Sequence, residues 1–276
     1  MRAKLFIPGS RPDLFGKAMA GHADALSLDL QDSVIDARKV EAREAVRQFL
    51  VSLSTPKMKV IIVRVNAIGT AQFEADVKAI TDTMVDLINI PRVESADELR
   101  RTQSLTGEIP ILVNIETPKG LREAFEIASA HPRVAGLQLG LADLIEPLGM
   151  DRYNAAIVQE LQLRIRLAAA EAHVFAYDSA YPDIDDLDGL RREAEMARAL
   201  GYLGKSAIHP CQVQTINEVF SPTPGEIAHA LAVIEGARNA ELAGTAVFKI
   251  GGKMVDAPFV TRAENTLALA RRLGLA

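Results

Sequence analysis

Eight short apolar runs alternate along the chain with longer stretches whose apolar residues recur at helical spacing. The helical pattern is clearest in "ARKVEAREAVRQFL" and "NAAIVQELQLRIRLAAAEA". The short runs are continuously apolar and rich in β-branched residues, which is typical of a parallel sheet covered on both faces. The predicted strands are Ala3–Ile7, Asp24–Leu30, Val60–Val65, Met84–Ile90, Ile109–Ile115, Val134–Leu139, His173–Tyr177 and Leu203–Ile208.

Eight strand–helix repeats within 276 residues predict a TIM (β/α)8 barrel, which we assign to residues 1–221. The alternative is a doubly wound open sheet, but "FIPGSRPD" after the first strand lacks the GxGxxG pattern expected there. Residues 222–276 exceed a minimal barrel. They predict a helix over Pro222–Ala243, a hairpin around Gly251 and Gly252, and a last helix to about Leu273. We expect this C-terminal extension to pack on its own or on a neighbouring subunit.

Composition excludes several classes of function. The net charge of −5 and the pI of about 5.6 leave no basic surface for nucleic acid or anionic membranes. The single Cys211 cannot form an intrachain disulfide. The start, "MRAKLFIPGS", has too short an apolar run for a signal peptide, and no run is long enough to span a bilayer. We therefore expect a soluble, cytoplasmic protein.

Polar side chains follow each predicted strand. In a barrel the carboxyl ends of all strands meet at one rim, where active sites of this fold lie. The sequence therefore predicts a polar site at this rim. The candidates, in chain order, are Arg11, Asp29, Gln31, Asp32, Arg64, Asn66, Arg92, Glu94, Glu116, Asp143, Asp178 and His209.

Glu116 and Asp143 follow neighbouring strands, so their carboxylates are expected to approach each other. Two such acids repel unless a positive charge lies between them, and Mg²⁺ prefers this kind of oxygen ligand. Zinc is not expected, because neither HExxH nor CxxC is present. The alternative is that each acid is separately paired with a basic residue such as Arg64 or Arg92. Arg64 itself ends an apolar strand and needs an anionic partner, either a rim acid or a substrate carboxylate.

The chain resembles the HpcH/HpaI aldolase and citrate lyase family, in particular its citrate lyase β-subunit-like branch. The matching motifs occur in the same order along nearly the whole chain. They are "LFIPGSRPD", "ADALSLDLQDSV", "VIIVRVNAIGT", "INIPRVES", "VNIETPKG", "LQLGLADL", "GKSAIHPCQV" and "GGKMVDAP".

This resemblance implies a Mg²⁺-dependent carbon–carbon lyase with a TIM barrel, acting on thioesters of citrate-, malate- or citramalate-like acids. It implies coenzyme A or an acyl carrier protein as the thioester carrier, and a homo-oligomer, a trimer or a hexamer. Mn²⁺ is a possible substitute for Mg²⁺. The roles that the resemblance implies are metal ligation by Glu116 and Asp143, substrate binding by Arg64 and acid–base catalysis by Asp256 from a neighbouring subunit. Further substrate contacts are expected from Arg11, Asp32, Arg92 and Glu116.

Two positions depart from the family pattern. Gln31 replaces the Glu of "DLEDAV", and Arg92 replaces the Lys that commonly follows Pro91. Gln31 removes a negative charge near the metal, and Arg92 places a planar guanidinium where relatives have the point charge of a lysine. Both changes are expected to affect which substrate is bound. Two other functions are kept open: an aldolase acting on free 2-oxo acids without a thioester, and a subunit of a citrate lyase complex that needs an acyl carrier protein.

Overall fold

The computed structural model describes residues 1–55 and 57–276. The chain divides into two compact units, Met1–Phe220 and Ser221–Ala276. The first contains the eight strands predicted for the barrel, and the second contains two helices and a hairpin.

Eight parallel strands close into a barrel in chain order, β1 pairing with both β2 and β8. The predicted TIM barrel is thereby confirmed. The open-sheet alternative is excluded, because an open sheet has two unpaired edges. The strands are β1 Ala3–Pro8, β2 Ala25–Asp29, β3 Val60–Arg64, β4 Leu87–Ile90, β5 Ile111–Ile115, β6 Val134–Leu139, β7 Phe175–Ala180 and β8 Lys205–Ala207.

Helices surround this barrel and cover its outer face. The α-helices are α1 Phe15–Ala20, α2 Lys39–Ser52, α3 Phe73–Ile80, α4 Ala96–Arg100, α5 Gln103–Thr106, α6 Pro118–Arg122, α7 Ala124–Ala128, α8 Leu141–Ile145, α9 Ala155–Glu171, α10 Leu187–Ala199 and α11 Pro210–Val219. Short 3-10 turns occur at Pro12–Leu14, Asp36–Arg38 and Glu146–Leu148. The outward-facing strand residues pack with the helices into one apolar core, so both faces of each strand are buried, as their apolar sequences predicted.

Local start signals place the helices that flank the site. The Thr117 hydroxyl accepts a hydrogen bond from the Gly120 amide, and Pro118 occupies the first turn of α6. His209 caps α11 by accepting from the Cys211 amide, which is the structural role that a histidine at a helix start most often has. Thr117 and His209 lie two residues after the ends of β5 and β8, so the residue between strand and helix stays at the rim.

The seventh strand differs from its prediction. It begins at Phe175 rather than at His173, which instead has a positive φ of 57° in the turn after α9. Asp178 then lies inside β7 rather than beyond it. Its carboxylate is fully buried and accepts a hydrogen bond of 2.7 Å from Lys205 Nζ and one of 3.0 Å from Gln162 on α9. Because α9 covers the outside of the barrel, Asp178 was wrongly expected at the rim.

The second unit has a small core of its own, formed by Ala230, Val233, Val255, Ala263 and Leu267. It comprises α12 Pro224–Leu242, the antiparallel strands β9 Phe248–Ile250 and β10 Lys253–Val255, and α13 Ala257–Arg272. Gly251 and Gly252 both have positive φ, 52° and 83°, as a tight hairpin turn requires. Across residues 1–55 and 57–276, no helix is long and apolar enough to cross a membrane.

Candidate active site

A pocket of about 430 Å³ lies at the carboxyl ends of the barrel strands. Five of the residues predicted from the sequence line it: Asp29, Asp32, Arg64, Glu116 and Asp143. The rim prediction therefore brought together groups from the ends of β2 and β3 and from the segments that follow β2, β5 and β6. The other lining residues are Phe6, Pro8, Ser33, Asn114, Gln138, Leu139, Gly140, Leu141, Ala142, Ser179, Ala180 and Ile208.

Glu116 is a deeply buried acid of the pocket, with a side chain only 2% exposed. One carboxylate oxygen accepts from the Arg92 backbone amide at 2.9 Å, and the other accepts from Asn114 at 3.2 Å. Gly140 leaves room for this carboxylate, because a β-carbon there would come within 2.7 Å of Glu116 Oε2. Burial, followed by the negative charge of Asp143, raises the pKa of Glu116 to about 7. A positive charge at this place would therefore be strongly favoured.

Arg92 supplies one positive charge to both acids. Its Nη2 atom donates to Asp143 Oδ1 at 2.9 Å, and its Nε atom lies 3.9 Å from Glu116 Oε1. The pairing alternative considered from the sequence is thus present here, with a single arginine shared between the two acids. Arg92 also has a φ of 54°, in the left-handed region that few residues other than glycine adopt. Such backbone strain clusters at functional sites, and here it points the Arg92 amide at Glu116.

Arg64 is held on the opposite side of the pocket by a buried acid. Its Nε and Nη2 atoms donate to the two oxygens of Asp29 at 2.7 and 2.8 Å, while Nη1 lies 3.4 Å from Asp32. Burial alone would raise the pKa of Asp29, but the hydrogen bonds and charge of Arg64 outweigh burial and lower this pKa. The predicted anionic partner of Arg64 is therefore Asp29. The Nη1 group is the part of the guanidinium left to face the pocket.

The charges at the rim do not balance. Among the residues that the structure describes, four carboxylates line the pocket and two guanidinium groups, those of Arg64 and Arg92, pair with them, which leaves two negative charges in excess. A hard dication would neutralise this excess. The oxygen-only donor set of Glu116 and Asp143 fits Mg²⁺, which commonly takes one or two protein carboxylates and completes its shell with water or substrate. Within the described part of the chain no group of three or more His, Cys, Asp or Glu is arranged as a metal site.

The remaining predicted residues lie outside this pocket's lining. Arg11 is exposed and forms an ion pair with Asp13 at 2.8 Å. Gln31 is buried next to the site, and its Oε1 atom has no hydrogen-bond partner among residues 1–55 and 57–276. Asp256 belongs to the second unit, where it precedes α13. Its Oδ1 atom is buried without a partner in the part of the chain that the structure describes. The roles of Arg11 and Asp256 stay predictions.

Sequence reasoning missed the residues one layer below the rim. Asn114, Gln138 and Ser179 line the pocket from within β5, β6 and β7 rather than from their ends. Their distance along the chain from rim residues could have identified them. Asn114 lies two residues before Glu116 and Gln138 two residues before Gly140, and residues two apart on a strand share a face. Polar residues in otherwise apolar strands could therefore have been assigned to the barrel interior.

Comparison with known proteins places this site in context. A family model described as HpcH/HpaI aldolase/citrate lyase matches residues 2–210. The chain is 36% identical to a (3S)-malyl-CoA thioesterase of Cereibacter sphaeroides, over 99% of this chain and 95% of that protein. It is 33% identical to the citrate lyase subunit beta of Escherichia coli K12, over 99% and 94% of the two chains.

Solved structures of citrate lyase beta subunits are similar in fold to this chain. The protein CitE of Mycobacterium tuberculosis, in complex with magnesium, acetoacetate and coenzyme A, superposes with a TM-score of 0.81 at 32% identity, covering 98% of this chain and 97% of that chain. A citrate lyase beta subunit of M. tuberculosis with oxaloacetate and magnesium superposes with a TM-score of 0.70 at 33% identity, covering 80% and 96%. The chain therefore belongs to the HpcH/HpaI aldolase/citrate lyase family, a family of enzymes of the aldolase and citrate lyase type.

Proposed function

We propose that this protein is a Mg²⁺-dependent carbon–carbon lyase that cleaves, or forms, a 3-hydroxyacyl thioester of a citrate-, malate- or citramalate-like acid. The products of cleavage would be a 2-oxo acid and an acyl thioester. The observation that carries the proposal is the pair Glu116 and Asp143 in a pocket with two excess negative charges, facing Arg64. The magnesium and coenzyme A bound by the similar CitE structure support the same chemistry.

Glu116 and Asp143 would hold the metal ion. When bound, Mg²⁺ would supply a Lewis acid that favours the negative charge developing on the hydroxyl oxygen of the substrate. Glu116 must be ionised to act as a ligand, and its raised pKa of about 7 means that a cation and a proton compete for it. The Arg92 guanidinium is then free to pair with an anionic group of the substrate, for which its planar fork is suited.

Arg64 is placed to stabilise the other fragment. As the carbon–carbon bond breaks, the acyl thioester leaves as an enolate whose oxygen becomes negative. With Nε and Nη2 held by Asp29, the Nη1 group is a donor whose position is set before the reaction. Preorganised donors of this kind stabilise developing charge without reorganising during the reaction.

We propose that Asp256 of a neighbouring subunit transfers the proton at the enolate carbon. Its carboxylate does not cap α13 in the described part of the second unit, although it occupies the N-cap position, and one of its oxygens is buried without a partner. A carboxylate left unsatisfied in this way suits a role in a site completed by assembly. This role requires a homo-oligomer, which we propose to be a trimer or a hexamer.

A second candidate function is hydrolysis of the thioester itself. It is favoured by the 36% identity to a (3S)-malyl-CoA thioesterase over almost the whole chain. Two further arrangements stay open: an aldolase that takes free 2-oxo acids, and a subunit of a citrate lyase complex that works on a protein-bound thioester. The citrate lyase beta subunits among the relatives bear on the latter.

Product analysis separates these functions. The purified protein with Mg²⁺ is offered malyl-, citramalyl- and citryl-coenzyme A, and the 2-oxo acid and the free thiol are measured in the same sample. A lyase releases the oxo acid without free thiol, whereas a thioesterase releases thiol without oxo acid. Activity that persists in excess chelator would contradict the metal role. Cleavage only of thioesters on an acyl carrier protein would favour the complex, and cleavage of free hydroxy-oxo acids alone would favour the aldolase.

Mixing of variants tests the shared site. Asp256→Asn and Glu116→Gln each abolish turnover by this mechanism, but a mixed oligomer contains some sites with both native residues. Recovery of activity after subunit exchange supports transfer of the proton across the interface. A fully active monomer in light scattering would contradict it.

A further inference from the structure

The deepest part of the pocket is polar, although the proposed chemistry at the rim does not use it. Gln138 on β6 is 3% exposed and lines the pocket two residues below Gly140, which corresponds to about 7 Å along the strand. On the neighbouring strand β7, Ser179 also lines the pocket. Its Oγ atom is buried and has no hydrogen-bond partner within residues 1–55 and 57–276. A buried polar atom that is left unsatisfied in the wall of a pocket calls for an explanation, and a ligand atom is one.

The orientation of the Gln138 amide is set from below by Lys4. Lys4 on β1 is fully buried inside the barrel, with its Nζ atom 4.4 Å from the centroid of the Phe6 ring and 5.2 Å from that of Tyr177. Nζ donates to Gln138 Oε1. Since the amide oxygen is held by Lys4, the amide nitrogen is directed away from it. In the part of the chain that the structure describes, Gln138 Nε2 donates to no protein acceptor and is not sealed from solvent.

The side-chain amide of Asn114, next to Gln138, has hydrogen-bond partners at both ends. Asn114 is paired with Gln138 in the register of β5 and β6. Its oxygen accepts from Asn89 at 2.8 Å and its nitrogen donates to Glu116 at 3.2 Å, so both ends are engaged within the protein. Gln138 has only one end engaged. The wall of the pocket below the rim therefore contains an N–H group that no acceptor among the described residues uses.

We propose that Gln138 is a specificity-determining residue that donates a hydrogen bond to an oxygen at the inner end of the 2-oxo acid, and that Lys4 is the positioning residue that fixes its amide. This inference rests on the proposed function, because it assumes that a 2-oxo acid occupies the pocket. The thioester carrier, coenzyme A or a protein, is too large for a pocket of about 430 Å³ and must remain at the open rim. The small oxo acid is then at the closed end. A substituent there that accepts hydrogen bonds, such as a second carboxylate, is favoured over a methyl group, which would leave the buried donors unpaired.

Binding of two oxo acids tests the inference without turnover. Oxaloacetate and 2-oxobutanoate differ at the inner end, where the first carries a carboxylate and the second a methyl group. In calorimetric titrations with Mg²⁺, the wild-type protein should bind oxaloacetate more tightly. Gln138→Leu should reduce this preference by about tenfold, mainly by weakening oxaloacetate. Lys4→Met should reduce it partly, because the amide loses the contact that orients it.

Two further variants keep the test decisive. Gln138→Glu preserves the side-chain shape but places an acid on the floor, so it should reverse the preference. Gln162→Leu is the matched control, since it removes an equally buried glutamine amide on α9, outside the pocket, and should leave the preference unchanged. Circular dichroism and size-exclusion chromatography show whether each variant folds.

The outcomes separate this inference from the proposed function. An oxo-acid preference equal in wild type and Gln138→Leu, or an equal loss of affinity for both acids, overturns the role of Gln138 while leaving the lyase proposal intact. Failure of the wild type to bind either acid with Mg²⁺ overturns both. A preference that depends on Gln138, found in a protein that cleaves none of the three thioesters, supports the role of Gln138 and contradicts the lyase reaction.

Discussion

Replacement of Glu116 by glutamine should make the protein more stable above neutral pH while removing its metal site. Because the pKa of Glu116 is raised from an ordinary 4.5 to about 7, the folded state favours the protonated acid. The associated stability is fully present below pH 4.5 and is lost as the pH rises through 7. Each pKa unit corresponds to about 1.4 kcal/mol, so the loss reaches about 3 kcal/mol in the absence of metal.

The groups around Glu116 set the sign of this effect. Asp143 and Asp32 raise its pKa further, whereas Arg64 and the Asn114 amide lower it without overcoming burial. A glutamine at this position would keep the size of the side chain and carry no charge at any pH. The free energy of unfolding of the wild type should therefore fall, relative to that of Glu116→Gln, by most of about 3 kcal/mol between pH 5 and pH 8.

Urea denaturation followed by circular dichroism, in the presence of a chelator, measures this difference at each pH. Mg²⁺ at 100 times its dissociation constant should then stabilise the wild type at pH 8 by about 2.7 kcal/mol and leave Glu116→Gln unaffected. The control is Glu160→Gln, which alters an exposed glutamate on α9. A stability difference that does not vary with pH would refute the reasoning about burial. A Mg²⁺ effect that persists in Glu116→Gln would refute the metal ligand.

Three further predictions concern the same pocket. Asp29→Asn should lower the free energy of unfolding by about 3–5 kcal/mol in urea denaturation, because it leaves the buried guanidinium of Arg64 without its bidentate partner. Gly140→Ala should abolish measurable Mg²⁺ binding in calorimetry while the circular dichroism spectrum stays native, because its β-carbon would displace the carboxylate of Glu116. Arg92→Gly should increase the affinity for Mg²⁺ in the same titration by about tenfold, because it removes a competing cation and suits the positive φ at that position. An unchanged affinity would mean that this guanidinium does not compete with the metal.

The barrel was predictable because its signal is local. Most strands lie in apolar runs bounded by a turn or a cap, and the eight runs were located to within a few residues of the observed strands. The largest error was at the seventh, where "HVFAYDSA" mixes polar and apolar residues. There the strand starts at Phe175, and the pairing with β8 is irregular between Asp178 and Ala180.

The rim of the site was predictable for the same reason. All strands of a parallel barrel end at one edge, so polar residues after successive strands, such as Asp32, Glu116 and Asp143, meet whatever the details of packing. The partners of these residues were not predictable. Arg92 pairs with both Glu116 and Asp143, and its backbone at this place has a left-handed conformation. No pattern in "NIPRVES" indicates that conformation.

The order of apolar runs, caps and polar strand ends was enough to determine a barrel with a polar rim, because hydrophobic periodicity and chain direction act over a few residues at a time. Tertiary structure alone decided which partners a polar residue inside a strand has. Asp178 is paired with Lys205 and Gln162 on the outside of the barrel, and the amide of Gln138 is held by Lys4 on the inside. A shift of one residue exchanges the two faces of a strand, and a buried polar group needs partners that come from distant parts of the chain.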